Sequence, residues 1–315
     1  MARYILKRLL YMVITMWIVI TVTFFLMNSL PGNPIEVSLR KLPPEIKKNI
    51  MAMYGFDRPI HERYVKYLGN LIKGDLGESI ETPGLKANTV IAERFPASAR
   101  LGLQAVFVGL VIGLILGILA AFKRNTWVDY LVIVIAIAGV SIPGFVIAAL
   151  MQQFLGGVFP VIGWPSKSTD WLTGLKYTVL PTIALSFGSI ATYARYMRTS
   201  VLDVINQDYI LTAKSKGVPG IAVVWKHIIR NAILPVITIL GPQIAGIITG
   251  TFVIEMMFSI PGLGQYFVNS IGVRDYTMIM ATTIFFAFLF IISLLVVDLL
   301  YVLIDPRIRL TGEKR

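Results

Sequence analysis

An all-α membrane protein with about six transmembrane helices is the fold class this sequence predicts, on three observations. The 315 residues are 56% hydrophobic, with a mean hydropathy of +0.74, where soluble domains sit nearer ~45–50% apolar. Charged residues are only 15% of the chain and are bunched between long apolar runs. Those runs, at 9–30, 101–122, 130–155, 177–195, 233–257 and 278–303, each approach the roughly 20 mostly apolar residues that a bilayer crossing needs.

The first run follows Arg3, Lys7 and Arg8, as a secretory signal would. Its apolar length of about 22 residues exceeds the ~7–15 of a signal core. It ends in Leu30-Pro31-Gly32-Asn33-Pro34 without a small-x-small cleavage pattern, so it reads as an uncleaved first span. Residues 31–98 then form a small external insert between spans one and two. Within it, Pro43-Pro44-Glu45 reads as a helix start. Ile60, Tyr64, Leu68, Leu71 and Ile72 share one face of a second short helix, and Gly74-Asp75-Leu76-Gly77 reads as a turn. The insert holds too little apolar material for a core of its own. It is expected to cap the outer ends of the spans rather than to form a substrate-binding domain.

Gly109, Gly113 and Gly117 recur every four residues on the second span, and Gly246 and Gly250 repeat the spacing on the fifth. Close helix packing is the expected use. Pro143-Gly144 and Pro181 lie in or beside the third and fourth spans, where each can kink a helix or free a carbonyl. Ionisable residues within the spans are few and are functional candidates by default. Glu255 near the outer end of the fifth span, Asp298 in the inner half of the sixth, and Arg195 and Arg198 at the inner end of the fourth are the candidate gate or helix-pairing residues. Asp298 reads as structural, paired with an arginine at its own depth. Glu255 stays open between the two roles.

Lys and Arg in the short loops orient the chain. One side carries Arg3, Lys7, Arg8, Lys123, Arg124, Arg195, Arg198, Lys214, Lys216, Lys226, Arg230, Arg307, Arg309, Lys314 and Arg315; the short loops opposite carry only Lys167, Lys176 and Arg274. Both termini are therefore expected in the cytoplasm. The chain divides into 1–30 (N-terminus and first span), 31–98 (insert), 99–305 (a five-helix core) and 306–315 (tail). The formal net charge of +12 follows from cations flanking spans, and no basic patch interleaved with aromatics points to nucleic acid. The absence of cysteine excludes disulfides, thiolate metal sites and cysteine nucleophiles. His61 and His227 lie too far apart in sequence to point to a metal site, and none is expected.

The most informative segment is the cytoplasmic stretch 199–232, too long for a plain connection. It contains Asp208-Tyr209-Ile210-Leu211-Thr212-Ala213-Lys214-Ser215-Lys216-Gly217, a break at Val218-Pro219-Gly220, and Ile221, Val224, Trp225, Ile228 and Ile229 at helical spacing. It closes on Arg230-Asn231-Ala232-Ile233-Leu234-Pro235. Two readings fit: a helix pair lying on the membrane surface, or a bent knob that docks a cytoplasmic partner.

This loop resembles the cytoplasmic loop of binding-protein-dependent ABC importer permeases, which enters a groove on the ATPase subunit. The general family form is Glu-Ala-Ala, three residues, Gly, then a later Ile-x-Leu-Pro. Here Leu211-Thr212-Ala213, Gly217 and Leu234-Pro235 occupy those places, without the glutamate and with a longer interval. That departure is similar to the peptide-importer branch, with its Asp-Tyr-x-x-Thr-Ala-Lys-x-Lys-Gly form. The resemblance extends along the chain. Met1 to Pro34, Gly74-Asp75-Leu76-Gly77-Glu78-Ser79 and Arg94-Phe95-Pro96-Ala97-Ser98 look like the first subunit of oligopeptide and dipeptide permeases. So do Phe252-Val253-Ile254-Glu255, Phe258, Pro261-Gly262-Leu263-Gly264, Arg274-Asp275-Tyr276 and Asp305-Pro306-Arg307.

The resemblance implies a type I ABC importer permease fold in a bacterial or archaeal cell membrane. It also implies a second, homologous permease subunit, two ATPase subunits, an external solute-binding protein and a peptide substrate. Asp208, Tyr209, Thr212, Ala213, Lys214, Lys216 and Gly217 would form the ATPase-coupling loop. No GxxxxGK[ST] loop occurs, so no cofactor is expected on this chain, with ATP and Mg on the partner subunits and no enzyme activity of its own. The same scaffold importing nickel or another small solute is the alternative. A secondary transporter driven by an ion gradient is more remote, because inverted repeats and midplane ionisable groups are not evident. An intramembrane enzyme lacks paired acids, HExxH or GxSxG in a span.

Overall fold

The computed structural model describes residues 2–29, 43, 45, 58–165 and 174–304, and almost all of what it describes is helical. In chain order the helices are α1 (Ala2–Ser29), α2 (Ile60–Ile72), α3 (Ala87–Phe122), α4 (Trp127–Ser141), α5 (Gly144–Leu155), α6 (Leu175–Ile205), α7 (Asp208–Ser215), α8 (Gly220–Ala232), α9 (Leu234–Gly250), α10 (Phe252–Met257), α11 (Leu263–Gly272) and α12 (Tyr276–Ile304). The one β pairing among the described residues is an isolated antiparallel bridge between Glu78 and Lys86. The expected helix start at Pro43-Pro44-Glu45 lies largely outside the described residues, and the ending Asp305-Pro306-Arg307 wholly so.

The apolar runs become helices with three qualifications. Helices α1, α3 and α12 are long and apolar enough to cross a membrane; the count rises to five if two bent pairs are each taken as one span. The run 130–155 is such a pair: α4 and α5 meet at 109°. Pro143 disfavours helical geometry at the residue before it, and Ile142 is extended (φ −92, ψ 121). At 1.5 Å per residue α4 and α5 measure about 22 and 18 Å, each short of the ~30 Å hydrocarbon core. Pro181, in contrast, leaves α6 continuous over 31 residues. α6 is also too polar to qualify as a span by composition. Its face is buried by protein: Thr182, Ser186, Ser189, Tyr193 and Met197 are all inside, as suits a helix at the centre of a bundle where small and hydroxyl residues meet neighbouring helices. Finally, α3 begins at Ala87, so the last twelve or so residues of the expected insert are its first turns.

The chain forms two compact units. One comprises Met1–Ala97 and Pro261–Ile291. Its core holds Met27, Ile80, Tyr276 and Ile279, with Phe267 and Met280 against them. There α2 lies on α1: Arg63 donates to Asn28 Oδ1 at 2.5 Å, the Tyr64 and Thr21 hydroxyls are 2.6 Å apart, and the Tyr64 and Tyr67 rings pack on Phe24. The contact face is thus Arg63, Tyr64 and Tyr67, and the expected Ile60 and Ile72 are exposed at the two helix ends. The turn at 74–77 is built as expected, with Gly74 and Gly77 at positive φ and the Gly77 N–H bonded to Asp75 Oδ1. Asp275 caps α12 through the Met278 N–H and also accepts from the Ser79 hydroxyl and the Ile80 N–H. Two of the runs that carry the family resemblance therefore meet in space.

The other unit comprises Ser98–Ile260 and Ile292–Arg315. α6 is its axis, packed by α4, α5, α8, α9 and α10. The glycine series on α3 crosses α6 closely. A methyl group at Gly113 would lie 2.7 Å from Tyr193 Cβ, and one at Gly117 2.6 Å from the Ala194 carbonyl oxygen. Gly246 behaves otherwise: a methyl there would meet nothing within 4 Å, so no close helix crossing is made at that glycine among the described residues.

Candidate functional site

The 208–232 loop is a rigid knob. α7 ends in a Schellman motif: the Gly217 N–H bonds to the Lys214 carbonyl at 2.9 Å and the Val218 N–H to the Ala213 carbonyl at 3.2 Å. This geometry requires a left-handed residue at Gly217, whose φ is +73. A methyl at Gly217 would meet nothing within 4 Å, so within this chain the glycine is there for its backbone shape. Alanine there should cost about 1–2 kcal/mol of strain, and asparagine less, since it tolerates this conformation. Thermal unfolding of the purified variants tests that order; asparagine as damaging as alanine would argue against it.

Pro219 then starts α8, whose residues Val223–Ile229 form a π-helical stretch. Because π bonds join residues five apart, Val223 and Ile228 come onto one side, and both are buried. They join Ile210 and Ala213 of α7, Tyr193, Met197 and Val201 of α6, Ala121 of α3 and Val236 of α9 in a single apolar cluster. The expected stripe at helical spacing is therefore split. Val224, Ile228 and Ile229 pack inward, whereas Ile221 is 77% and Trp225 64% exposed. Leu211 and Tyr209 are exposed as well.

The loop residues singled out in the sequence separate in the same way. Asp208, Tyr209, Thr212, Lys214, Lys216 and Gly217 are on the surface. Ala213 is buried in the apolar cluster and presents nothing outward. The surface so formed combines Tyr209, Leu211, Ile221 and Trp225 with Lys214 and Lys216. Ile221 and Trp225 escaped the sequence reading as outward residues because a 3.6-residue period assigns them to the packed face, and only the π geometry reverses that.

The four ionisable candidates occupy different settings. Arg198 grips Asp129 with two hydrogen bonds, Nε to Oδ1 at 2.5 Å and a terminal NH2 to Oδ2 at 2.7 Å. The Asn125 N–H adds a third bond to the carboxylate. Arg198 is thus a helix-pairing residue joining α6 to the start of α4. Asp129 was not singled out from sequence, because a lone acid after a basic turn looks like helix capping. Arg195, one turn away, is exposed and lies against the Tyr196 ring. Glu255 is fully buried on α10 and accepts from the Ser98 hydroxyl at 2.6 Å. Beside it, Gln152 donates to the Met257 and Val161 carbonyls, the Gly163 N–H bonds to the Phe258 carbonyl, and Arg100 lies over the Trp164 ring. Asp298 is half-buried near the end of α12.

Comparison with known proteins gives a consistent family. Residues 113–310 match the model described as binding-protein-dependent transport system inner membrane component, and residues 1–101 match the N-terminal model of the same kind. The dipeptide transport system permease protein DppB of Bacillus subtilis is 44% identical over 313 residues, covering 98% of this chain and 99% of that protein. The oligopeptide transport system permease protein OppB of Escherichia coli K12 is 40% identical over 310 residues, covering 98% and 100%. Among solved structures, the chain is similar to one of inward-facing conformations of the MetNI methionine ABC transporter, with a TM-score of 0.53 and 18% identity over 66% of this chain and 93% of that one.

Proposed function

Because the chain belongs to the binding-protein-dependent transport system inner membrane component family, we propose that it is the permease subunit of an ATP-driven importer of di- or oligopeptides. The observation that carries this reading is identity of 39–44% over 98% of the chain to dipeptide and oligopeptide permease proteins. The chain supplies half of the translocation path in a bacterial or archaeal cell membrane, and a second, homologous permease subunit supplies the other half. An external binding protein delivers peptide. Two ATPase subunits bind ATP and Mg on the opposite side, so this chain needs no cofactor and catalyses no hydrolysis.

The docking surface is the outward face of α7 and α8. Apolar Leu211, Ile221 and Trp225 on a rigid knob offer the buried anchors that stable contacts use. The inward face of the same knob packs on α3, α6 and α9. Movement of the ATPases therefore reaches the spans as a rigid displacement, and it drives transport only if ATP-bound closure favours the outward-facing state over the inward-facing one. Gly217→Asp tests this. Aspartate tolerates a left-handed φ better than most residues, so the knob should still form, while its charge would be desolvated against a partner at a cost of several kcal/mol if unpaired. The expected result is a membrane-inserted chain that captures its ATPases poorly or fails to couple hydrolysis to uptake. Wild-type assembly together with wild-type uptake would remove the loop from the mechanism.

This reading places the knob and both termini in the cytoplasm. The chain contains no cysteine, so single substitutions report topology directly. On intact cells an impermeant thiol reagent is expected to label Ser38→Cys and Ser168→Cys and to spare Ser215→Cys. The first two positions lie outside the described residues. The reverse labelling pattern would invert the orientation.

A further inference from the structure

Three cavities, of about 250, 290 and 350 Å³, run along α6 and share walls. Gly139, Leu185 and Gly188 line two of them, and Val140 joins the third. Together they make one furrow, bordered by α4 along its length and by α9 and α10 across from it. On α6 the furrow runs from Ala184 to Thr199, about 22 Å at 1.5 Å per residue, or most of the ~30 Å hydrocarbon thickness.

The lining is largely apolar, but its middle does not suit lipid. Ser189, Thr192 and Gln243 stand in its middle section, where hydrogen-bonding groups facing acyl chains are costly. Nor is it consumed by packing within the chain. Val140 is 58% exposed, and Gly246 is exposed with 4 Å of clear space where a methyl would stand. The polar groups are positioned rather than loose. Ser189 donates to Gln243 Oε1 at 3.3 Å, and the Thr192 hydroxyl donates to the Gly188 carbonyl at 2.9 Å. The Gln243 N–H2 end and the Thr192 hydroxyl are what the furrow offers to an occupant, while the buried Ser189 holds the carboxamide in place. No carboxylate or imidazole lines any of the three cavities. The two guanidinium groups stand together at one end, and Arg198 there is already held by Asp129.

Resting on the importer reading above, we infer that this furrow is the chain's own wall of the translocation path and that it recognises the peptide main chain. A peptide presents an N–H and a carbonyl at every residue whatever its side chains. A carboxamide and a hydroxyl can exchange hydrogen bonds with those groups, and at Gly246, where a methyl would meet nothing within 4 Å, a backbone can approach closely. A furrow free of carboxylates and imidazoles has no ligand for a divalent cation such as nickel and no trap for lysine or arginine side chains. Peptides of varied sequence can therefore pass along one surface. The missing wall belongs to the second permease subunit.

The test uses the assembled importer in proteoliposomes, with the binding protein and trialanine as the transported probe. Thr192→Cys and Val140→Cys place thiols in the furrow; Val134→Cys, 61% exposed and roughly 120° round α4 from Val140, is the control. A membrane-impermeant methanethiosulfonate should modify the first two and not the third. Trialanine with ATP should slow the modification, and modified complexes should lose uptake. Gln243→Leu should lower uptake of trialanine and of a lysine-containing tripeptide alike, by about three- to tenfold, the worth of one neutral hydrogen bond. Loss confined to one of the two peptides overturns main-chain recognition. Furrow cysteines that stay unreactive, or react without effect, in a complex with wild-type uptake overturn the path assignment and leave the importer reading standing. An unsubstituted complex that assembles but never takes up trialanine overturns the importer reading instead.

Discussion

Replacing Gly117 with leucine is expected to unmake the crossing of α3 and α6 and with it the assembled protein. A single methyl at Gly117 already lies 2.6 Å from the Ala194 carbonyl oxygen and 2.7 Å from Met197 Cβ. The first of these is backbone and cannot swing aside. Overpacking a tight contact costs about 1–3 kcal/mol, and leucine with three further carbons at a backbone contact should reach or exceed the upper end. The damage should spread to the knob, because Ala121, one turn further along α3, and Met197 both belong to the cluster that holds α7 and α8. The measurement is the yield of monodisperse complex in detergent and its uptake of peptide. Gly246→Ala is the comparison: nothing lies within 4 Å of the added methyl, and alanine favours helix over glycine by about 1 kcal/mol. That variant should assemble normally. Equal yields for the two would mean that α3 and α6 do not cross as described.

Breaking the Asp129–Arg198 pair is expected to cost about as much, and unequally from its two ends. Removing one partner of a buried pair typically costs about 3–5 kcal/mol because the other charge stays behind without compensation. Asp129 keeps 2% side-chain exposure and Arg198 keeps 22%. Arg198→Met strands the more buried charge and should fall near the upper end. Asp129→Ala leaves a guanidinium that is less enclosed by the protein and should fall near the lower end. Asp129→Leu combined with Arg198→Met removes both charges and should recover much of the loss. Thermal unfolding of the detergent-solubilised complex reads the series, with a shift of about 5 °C or more for the worse single variant. A double variant no better than the worse single one would show that the pair contributes something beyond mutual compensation.

The bend between α7 and α8 was legible in the sequence, for a physical reason. The Schellman stop at Gly217 is a local event, written in the residues that perform it, and the glycine is where it must be. The turn at Gly74 to Gly77 is local in the same sense. The outward face of α8 was not legible. Helical spacing places Ile221 and Trp225 with Ile228, while the π stretch at 223–229 rotates them outward. A residue-by-residue reading assumes one period, and nothing in the composition of Val223–Ile229 announces the other. The ionisable candidates divided similarly. Arg198 could be named from its place near a span, but its partner Asp129 is 69 residues away in the chain.

What the sequence by itself determined was the helical membrane class, the breaks at Pro143 and at Gly217 to Gly220, and the family. Apolar run length, proline and glycine act within a few residues of where they stand, and ordered motifs need no folding to be read. The tertiary structure decided which sides of the helices meet: Gly113 and Gly117 tight against α6 but open space where a methyl on Gly246 would stand, Ser79 on Asp275 across 196 residues, and a furrow along α6 with Ser189, Thr192 and Gln243 in its middle. In a soluble protein the apolar stripe would have disclosed the inward face. In a membrane, lipid is as apolar as leucine, so hydrophobicity says that a helix is immersed and is silent about which side faces protein, lipid or the transported peptide.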